Sequence, residues 1–556
     1  MKLLLISPPI EDFYDTEIRL QPIGLAYLKA SVKKHLPHVE VKILDAHRGF
    51  GKKTISLPKE FNSLKRYWHT ADQSPFCGFH AYYHFGASFE YIAAFCLREK
   101  PDVIGLSSLF SPYHREVLKT AAAIKAEYDC PIVVGGSHAS ACPDLLLDSP
   151  YIDFVIRGEG ERPLVEFLTS YKDKNKYRCI SGLGYKVNGE KFYNALEPNW
   201  TLDSLPIPDL EDLKQENYLF EGKPLCFVVT SRSCPHRCSF CSVHTTFGYE
   251  YRRMSVDCIL QMLHQRYEQG YRVFDFEDDN LTYFKPQMKA LCQRIISEFK
   301  GKPIQLLAMN GISYLSLDNE LLDLMRQAGF TNLNLALVSS DTLILQSTKR
   351  PHTVSKYLEV VQLGYELGYK ITSYQILGLK YENLASMIQT LVFNARLPVL
   401  LGASIFYMTP QSPIAKEHGL ETNDLNAFTA RSTSLRWEFQ DWCRDDIYTL
   451  FITTRMINFL KSLTLESVML TKEDRISDLP VRVASGINIL KKLFTEKRLS
   501  AETKRGYVLL EAFRFDLFER VFFQLEYIKN LENKLIDIHD LFCFNPGFNL
   551  PKVNIA

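Results

Sequence analysis

Residues 230–248 read TSRSCPHRCSFCSVHTTFG and gather Cys234, Cys238 and Cys241 into one short polar loop. The remaining cysteines are scattered singly, as buried thiols usually are. Three readings of the trio are open. A zinc site wants four ligands, usually from two cysteine pairs; no second pair exists, so His236 or His244 would have to complete it. Packing cysteines need a core to join, and a polar loop offers none. A cubane 4Fe–4S cluster held by three thiolates leaves one iron without a protein ligand, and that iron can chelate a small molecule's amino and carboxylate groups.

The rest of the chain sets the frame for that loop. At 556 residues it is long enough for three or four folding units. Hydrophobic content of 46% and charged content of 23% are ordinary globular values, and a net charge of +1 gives no electrostatic case for nucleic acid or an anionic membrane. The start, MKLLLISPPIED, lacks the apolar run and cleavage site of a signal peptide. The longest later apolar stretch, LPVLLGASIFYM, is too short to span a bilayer. The expectation is a soluble, cytoplasmic protein with no transmembrane segment and no nucleic-acid partner.

Hydrophobic patterning divides the chain. KLLLIS, VEVKILDA, DVIGLSS, PIVVGGS and DFVIRGE are strand-like runs separated by helical periods at 22–35 and 113–128. Continuous apolar strands alternating with helices predict a doubly wound parallel sheet over 1–190. Residues 48–95 interrupt it with aromatic- and His-rich sequence and are expected to form a long excursion or lid. Residues 191–224, proline- and acid-rich without a period, predict a linker. Over 225–430 six more strand candidates (LCFVVTS, VFDFEDD, IQLLAMN, NLNLALVSS, ITSYQILGL, LGASIFYM) alternate with helices, which predicts a partial (β/α)6 barrel. The cysteine loop follows its first strand, where such barrels place reactive groups. From 431 to 556 the pattern is mainly α-helical.

CxxxCxxC with an aromatic residue before the third cysteine, after the first strand of a partial barrel, resembles the radical S-adenosylmethionine superfamily. RSCPHRCSFCSVHTTFGYEYRRMS is similar to its cobalamin-dependent branch, and the resemblance runs over 1–430. It implies a 4Fe–4S cluster on Cys234, Cys238 and Cys241, with Phe240 stacking on the adenine of S-adenosylmethionine. It also implies that Asp278, Asp279 and Asn280 meet the cofactor's amino group, and that Asn310 meets its carboxylate and ribose. Ser339 takes the role of the fourth-strand motif, although Val338 stands where a glutamate is usual. ILGLKYEN departs similarly from a GLPGET pattern, with Lys380 and Tyr381 replacing Pro and Gly.

For the first domain, VVGGSHAS followed by DFVIRGEGE resembles cobalamin-binding domains that precede such barrels. Ligands of doubly wound sheets bind beyond the strands' C-terminal ends. That places cobalamin against Ser7, Ser107, Ser108, Gly135, Gly136, Ser137, His138, Glu159 and Gly160. Asp45-Ala46-His47-Arg48-Gly49 approaches the DxHxxG lower-ligand signature, but it follows the second strand and its Gly is one position early. Cobalamin is therefore expected without a protein imidazole ligand. The resemblance implies radical methylation of an unactivated carbon in a small-molecule, lipid or natural-product substrate, fed by an external low-potential electron donor. An oxidative cyclisation or rearrangement with the same cofactors, and a non-catalytic cobalamin or redox sensor, are the alternatives. Substrate determinants are expected in 48–95 and after 430, among aromatics such as Trp68, Trp437 and Trp442.

Overall fold

Leu3 and Leu5 of the first strand face one pair of helices, while Leu4 and Ile6 face another. This alternation within an unbroken apolar run is what a sheet covered on both sides requires. A computed structural model describes residues 1–198, 200–465, 480–522 and 524–525. In it β1 (Lys2–Ser7), β2 (Glu40–Asp45), β3 (Val103–Ser107), β4 (Ile132–Gly135) and β5 (Phe154–Ile156) run parallel in the order 2-1-3-4-5. The sheet has seven strands, not five: β6 (Leu183–Val187) and β7 (Glu190–Tyr193) add an antiparallel hairpin beyond β5. Helices Ile23–His35 and Glu161–Ser170 cover one face, Phe89–Glu99 and His114–Glu127 the other. Strand order reverses between β1 and β3, which opens a ligand crevice at their C-terminal ends, Ser7 and Ser107.

The second unit holds β8 (Lys223–Val228), β9 (Val273–Phe276), β10 (Gln305–Leu307), β11 (Asn332–Val338), β12 (Lys370–Leu377) and β13 (Leu400–Ile405). Neighbours within β8–β10 and within β11–β13 pair in parallel, and single bridges Leu306–Phe330 and Ile312–Leu335 carry the curved sheet across its seam. The intervening helices start where their caps dictate. Ser255, Asp318, Thr353 and Asn383 each accept from a backbone N–H three residues on.

Three expectations need revision. Residues 195–218 form a strap rather than a free linker: Leu202, Leu205, Leu210, Leu213 and Tyr218 are buried in the core shared by both sheets. Its acids grip the first helix through Lys29–Asp212 (2.7 Å) and Lys33–Asp209 (2.8 Å). The 48–95 excursion is no detached lid. Lys52–Ile55 and Tyr82–Phe85 make a small antiparallel sheet with Ile10–Asp12, and Phe61, Trp68 and Phe76 share one core with Phe428, Tyr448 and Leu450. Trp68 and Trp442 are therefore packing residues, their indole N–H groups bonded to the carbonyls of Thr433 and Glu382. The C-terminal region is helical at Arg444–Leu465, Val481–Glu496 and Phe515–Phe522, but Ser500–Thr503 and Gly506–Leu509 form a hairpin. Gly506 turns it at φ +113°, a conformation suited to glycine. The helical reading beyond 525 lies outside the described residues.

Candidate active site

Thr230 and Ser231, just past β8, begin the cysteine loop, and three consecutive residues after β9 brace it. Asp278 accepts from Thr230 N (3.1 Å), Thr230 Oγ1 (2.8 Å) and the Ser231 hydroxyl. Asp279 accepts from Ser233 N (3.0 Å), and Asn280 Nδ2 donates to Cys234 Sγ (3.4 Å). Burial pushes both aspartates up to about 6. Further round the sheet, Thr348 O accepts from Ser239 N (2.9 Å), and Arg350 brings a guanidinium nitrogen to 3.9 Å from Cys238 Sγ.

The three thiols are free, and they sense one another. Burial pushes Cys241 up to about 11, with the charges of Cys238, Asp279 and Cys234 adding to it. Among the described residues no three His, Cys, Asp or Glu side chains converge on a single ion. His244 could not complete a zinc site as placed: its ring nitrogens meet the carbonyls of Gly248 (3.0 Å) and His236 (2.9 Å).

The other barrel residues divide. Phe240 packs against the apolar cluster of Val338, Ile344 and Phe406 at the strand ends. Val338 sits at φ +74° on a β-bulge, a strained conformation for a β-branched residue. Asn310 is exposed beyond β10. Ser339 turns into a buried network with Thr390 Oγ1 (3.2 Å) and Glu382 (3.5 Å), away from the cysteines' braces. Burial pushes Glu382 up to about 8.

Two cavities lie between the sheets. One of about 320 Å³ is lined by Ser107, Gly135, Gly136, Ser137, Glu159 and Gly160, with apolar walls from Leu5, Val133 and Ile156. A Cβ on Gly136 would stand 2.5 Å from Ser108 O, at φ +120°, so only glycine fits that edge. The other, about 750 Å³, runs from Ser137 and His138 to Ser242 and Val243 on the cysteine loop and Asp279 after β9. His138 is buried; its Nδ1 meets Ser111 Oγ (3.0 Å), its Nε2 has no partner, and burial pushes it down to about 3, so it is neutral. Ser7 and Ser108 line a narrow cleft beside these, with Ser108 Oγ also unpartnered. A glycine-edged crevice with orphaned polar atoms suits a bulky polar ligand such as cobalamin. His47 lines neither cavity; it is buried with Nε2 3.3 Å from Ile18 O.

Residues that the motifs did not single out tie the halves together. Arg232, buried, pairs with Glu159 (2.5 Å) and Glu161, and Arg252 also bonds Glu159. Arg19 reaches from the first unit to Asp275 and Glu277 at the end of β9. Asp12, Tyr113, Tyr407 and Arg431 line the larger cavity, with Tyr113 donating to Asp12 (2.6 Å). Arg232 adjoins the cysteine motif and so carried a signal; Arg19 and Arg431 carried none.

Comparison with known proteins agrees with this arrangement. Residues 228–393 match the radical SAM superfamily and residues 72–168 the B12 binding domain. The chain belongs to the cobalamin-dependent radical S-adenosylmethionine enzymes. An uncharacterized methyltransferase of Pyrococcus horikoshii is 26% identical over 404 residues, 72% of this enzyme and 79% of the relative. Cytidylyl-2-hydroxyethylphosphonate methyltransferase of Streptomyces wedmorensis is 26% identical over 416 residues, 68% of this enzyme and 73% of the relative. Anaerobic magnesium-protoporphyrin IX monomethyl ester cyclase of Rubrivivax gelatinosus is 26% identical over 305 residues, 52% and 53% of the two chains. The fold matches the cobalamin-dependent radical enzyme OxsB with aqua-cobalamin bound at a TM-score of 0.59 and 13% identity, covering 98% of this enzyme and 82% of OxsB. The cofactors of this enzyme are a 4Fe–4S cluster, S-adenosylmethionine and cobalamin. No helix among the described residues is long and apolar enough to cross a membrane.

Proposed function

We propose that the enzyme moves a methyl group from cobalamin to an unactivated carbon of a small, largely apolar substrate held in the 750 Å³ cavity. One observation carries the reading: the ligand edge of the first sheet and the cysteine loop open into the same chamber, through Ser137 and His138 on one side and Ser242, Val243 and Asp279 on the other. Held by Cys234, Cys238 and Cys241 beside this chamber, the cluster with S-adenosylmethionine would supply a carbon radical able to take hydrogen from a C–H bond, and cobalamin at the sheet edge would supply the methyl group.

The protein's part is placement. Cys234, Cys238 and Cys241 hold the cluster as thiolates, and Asp278, Asp279 and Asn280 fix the loop that presents them. Phe240 offers an adenine platform, and Asn310 a polar group that is free to turn. Ser107, Ser108, Gly135, Gly136, Ser137 and Gly160 let the cobalamin approach the backbone; Glu159 serves mainly to lock its loop to Arg232. Tyr14, Tyr113 and Tyr407 give the chamber aromatic walls with hydroxyls at their edges, which suits a substrate with a polar end. The buried ion pairs Arg232–Glu161 and Arg431–Asp12 tie the first unit to the barrel on either side of the chamber.

The longer matches are to methyltransferases, which favours methyl transfer, while the cyclase supports oxidative cyclisation as a second reading. Anaerobic reconstitution with iron, sulfide and hydroxocobalamin, followed by product analysis, separates them. S-adenosylhomocysteine together with 5′-deoxyadenosine supports methyl transfer; 5′-deoxyadenosine without S-adenosylhomocysteine rejects it.

A further inference from the structure

The 750 Å³ chamber has more carboxylates in its walls than cations. Asp12, Glu17 and Asp279 line it, against Arg19 and Arg431. Neither guanidinium is free. Arg431 is buried, pairs with Asp12 (3.2 Å) and donates to the carbonyls of Glu11 (2.9 Å), Pro112 (2.7 Å) and Phe428 (3.1 Å). Arg19 is held by both Asp275 and Glu277. Behind the lining, Arg48 is taken up by Glu17 (2.9 Å), and burial keeps His138 neutral. Asp279 makes no ion pair among the described residues, so the charge left over in the chamber is negative. A phosphate or carboxylate entering this space would give up its water and gain no cation, an unfavourable exchange for an ionised group. The walls select against anions by what they withhold.

What the walls offer is neutral. Tyr407 and Thr409 follow the last barrel strand, β13, and both line the chamber. Their hydroxyls make no hydrogen bond among the described residues. The other two phenols of the lining are engaged: Tyr113 donates to Asp12 (2.6 Å), and Tyr14 bonds Ser432. Tyr407 and Thr409 belong neither to the cysteine loop nor to the edge of the first sheet, so the cofactors assigned to those edges leave them to the substrate. A hydroxyl both donates and accepts, which matches an alcohol or an amide. A site built to hydrogen-bond such a group discriminates strongly against a molecule that lacks it.

We propose that Tyr407 and Thr409 are specificity-determining residues that hold a hydroxyl or amide of an uncharged substrate, and that the chamber excludes phosphates and free carboxylates. The inference rests on methyl transfer in this chamber and adds the chemical class of the acceptor.

The test supplies the reconstituted holoenzyme, under reducing anaerobic conditions, with methyl-labelled S-adenosylmethionine and extracts of its source cells. Aqueous and organic extracts are first split by ion exchange into acidic, basic and uncharged fractions, and labelled products are sought by mass spectrometry. A labelled product is expected from the uncharged fraction. One from the acidic or the basic fraction would overturn the proposal. With the substrate purified from the uncharged fraction, Tyr407→Phe is expected to raise KM at least ~5-fold while kcat stays within about twofold, the loss of one neutral hydrogen bond. Thr409→Val should act in the same direction, and iron and cobalamin contents should match wild type in both variants. Unchanged KM in both would overturn the role of these residues, and so would a fall in kcat that follows lost cofactor. Formation of 5′-deoxyadenosine with no labelled product from any fraction would instead refute methyl transfer, the reading on which the proposal stands.

Discussion

The two ligand edges of this enzyme are built by opposite means. At the first sheet the edge is made by leaving side chains out: Gly135 and Gly136 bring bare backbone to the crevice, and a Cβ at 136 would strike Ser108 O. At the barrel the edge is made by putting side chains in: Asp278, Asp279 and Asn280 each hold a successive part of the cysteine loop. On the proposed function, the difference follows from the cargo. A large cofactor bound along its own surface needs room and backbone groups, whereas a small cluster needs three atoms fixed in place.

The comparison breaks most completely at the cysteines. Cys238→Ala is expected to abolish iron–sulfur absorption and product formation together, while cobalamin binding and the melting temperature stay close to wild type. A large fall in melting temperature would mean that the thiol is packing and not ligation. Gly136→Ala should do the reverse. Strain at φ +120° and the clash with Ser108 O are expected to cost about 3 kcal/mol and to weaken cobalamin binding, with cluster content preserved. Denaturant unfolding and a cobalamin titration check both parts. Asp278→Ala leaves the buried donors of Thr230 and Ser231 unpaired, which costs about 2 kcal/mol. Here cluster retention should fall before cobalamin affinity does; equal loss of both would show that the edges are not separately built.

How much of the fold is legible in the sequence follows from range. The parallel strands and their order of appearance rest on local pattern, and the structure reproduces them at KLLLIS and PIVVGGS. The cysteine loop is legible because its chemistry is packed into one short stretch. The strap at 195–218 passes for a linker because its leucines follow no period; each instead meets a different part of a surface that the rest of the chain supplies. Arg19, pairing with Asp275 across 256 positions, leaves no trace in any window. The hairpin at Ser500–Leu509 passes for helix because its apolar residues suit either structure, and Gly506 decides the matter.

The subtlest contrast lies between two buried carboxyls. Asp275, at the barrel edge, is pushed up to about 7 by burial and by Glu277, but Arg19 opposes them with a direct ion pair. Glu116, on helix His114–Glu127 beneath the sheet edge, meets the carboxyl of Glu11 rather than a cation and sees Lys119 only at 3.8 Å. Burial and the neighbouring Glu11 push it up to about 8. A carboxyl raised in the folded state keeps its proton there, while the unfolded chain releases it above its ordinary value of 4.5. The folded state is thus penalised progressively as pH climbs from about 4.5 towards 8, and the penalty is absent below that window. Glu116→Gln removes the titration. Its unfolding free energy in denaturant should match wild type near pH 5 and exceed it by a margin that grows towards pH 8. That margin is ~1.4 kcal/mol for each tenfold gain in proton affinity that survives sharing the proton with Glu11. A constant difference across that range would mean that Glu116 is ionised in the fold and that Lys119, despite its distance, does for it what Arg19 does for Asp275.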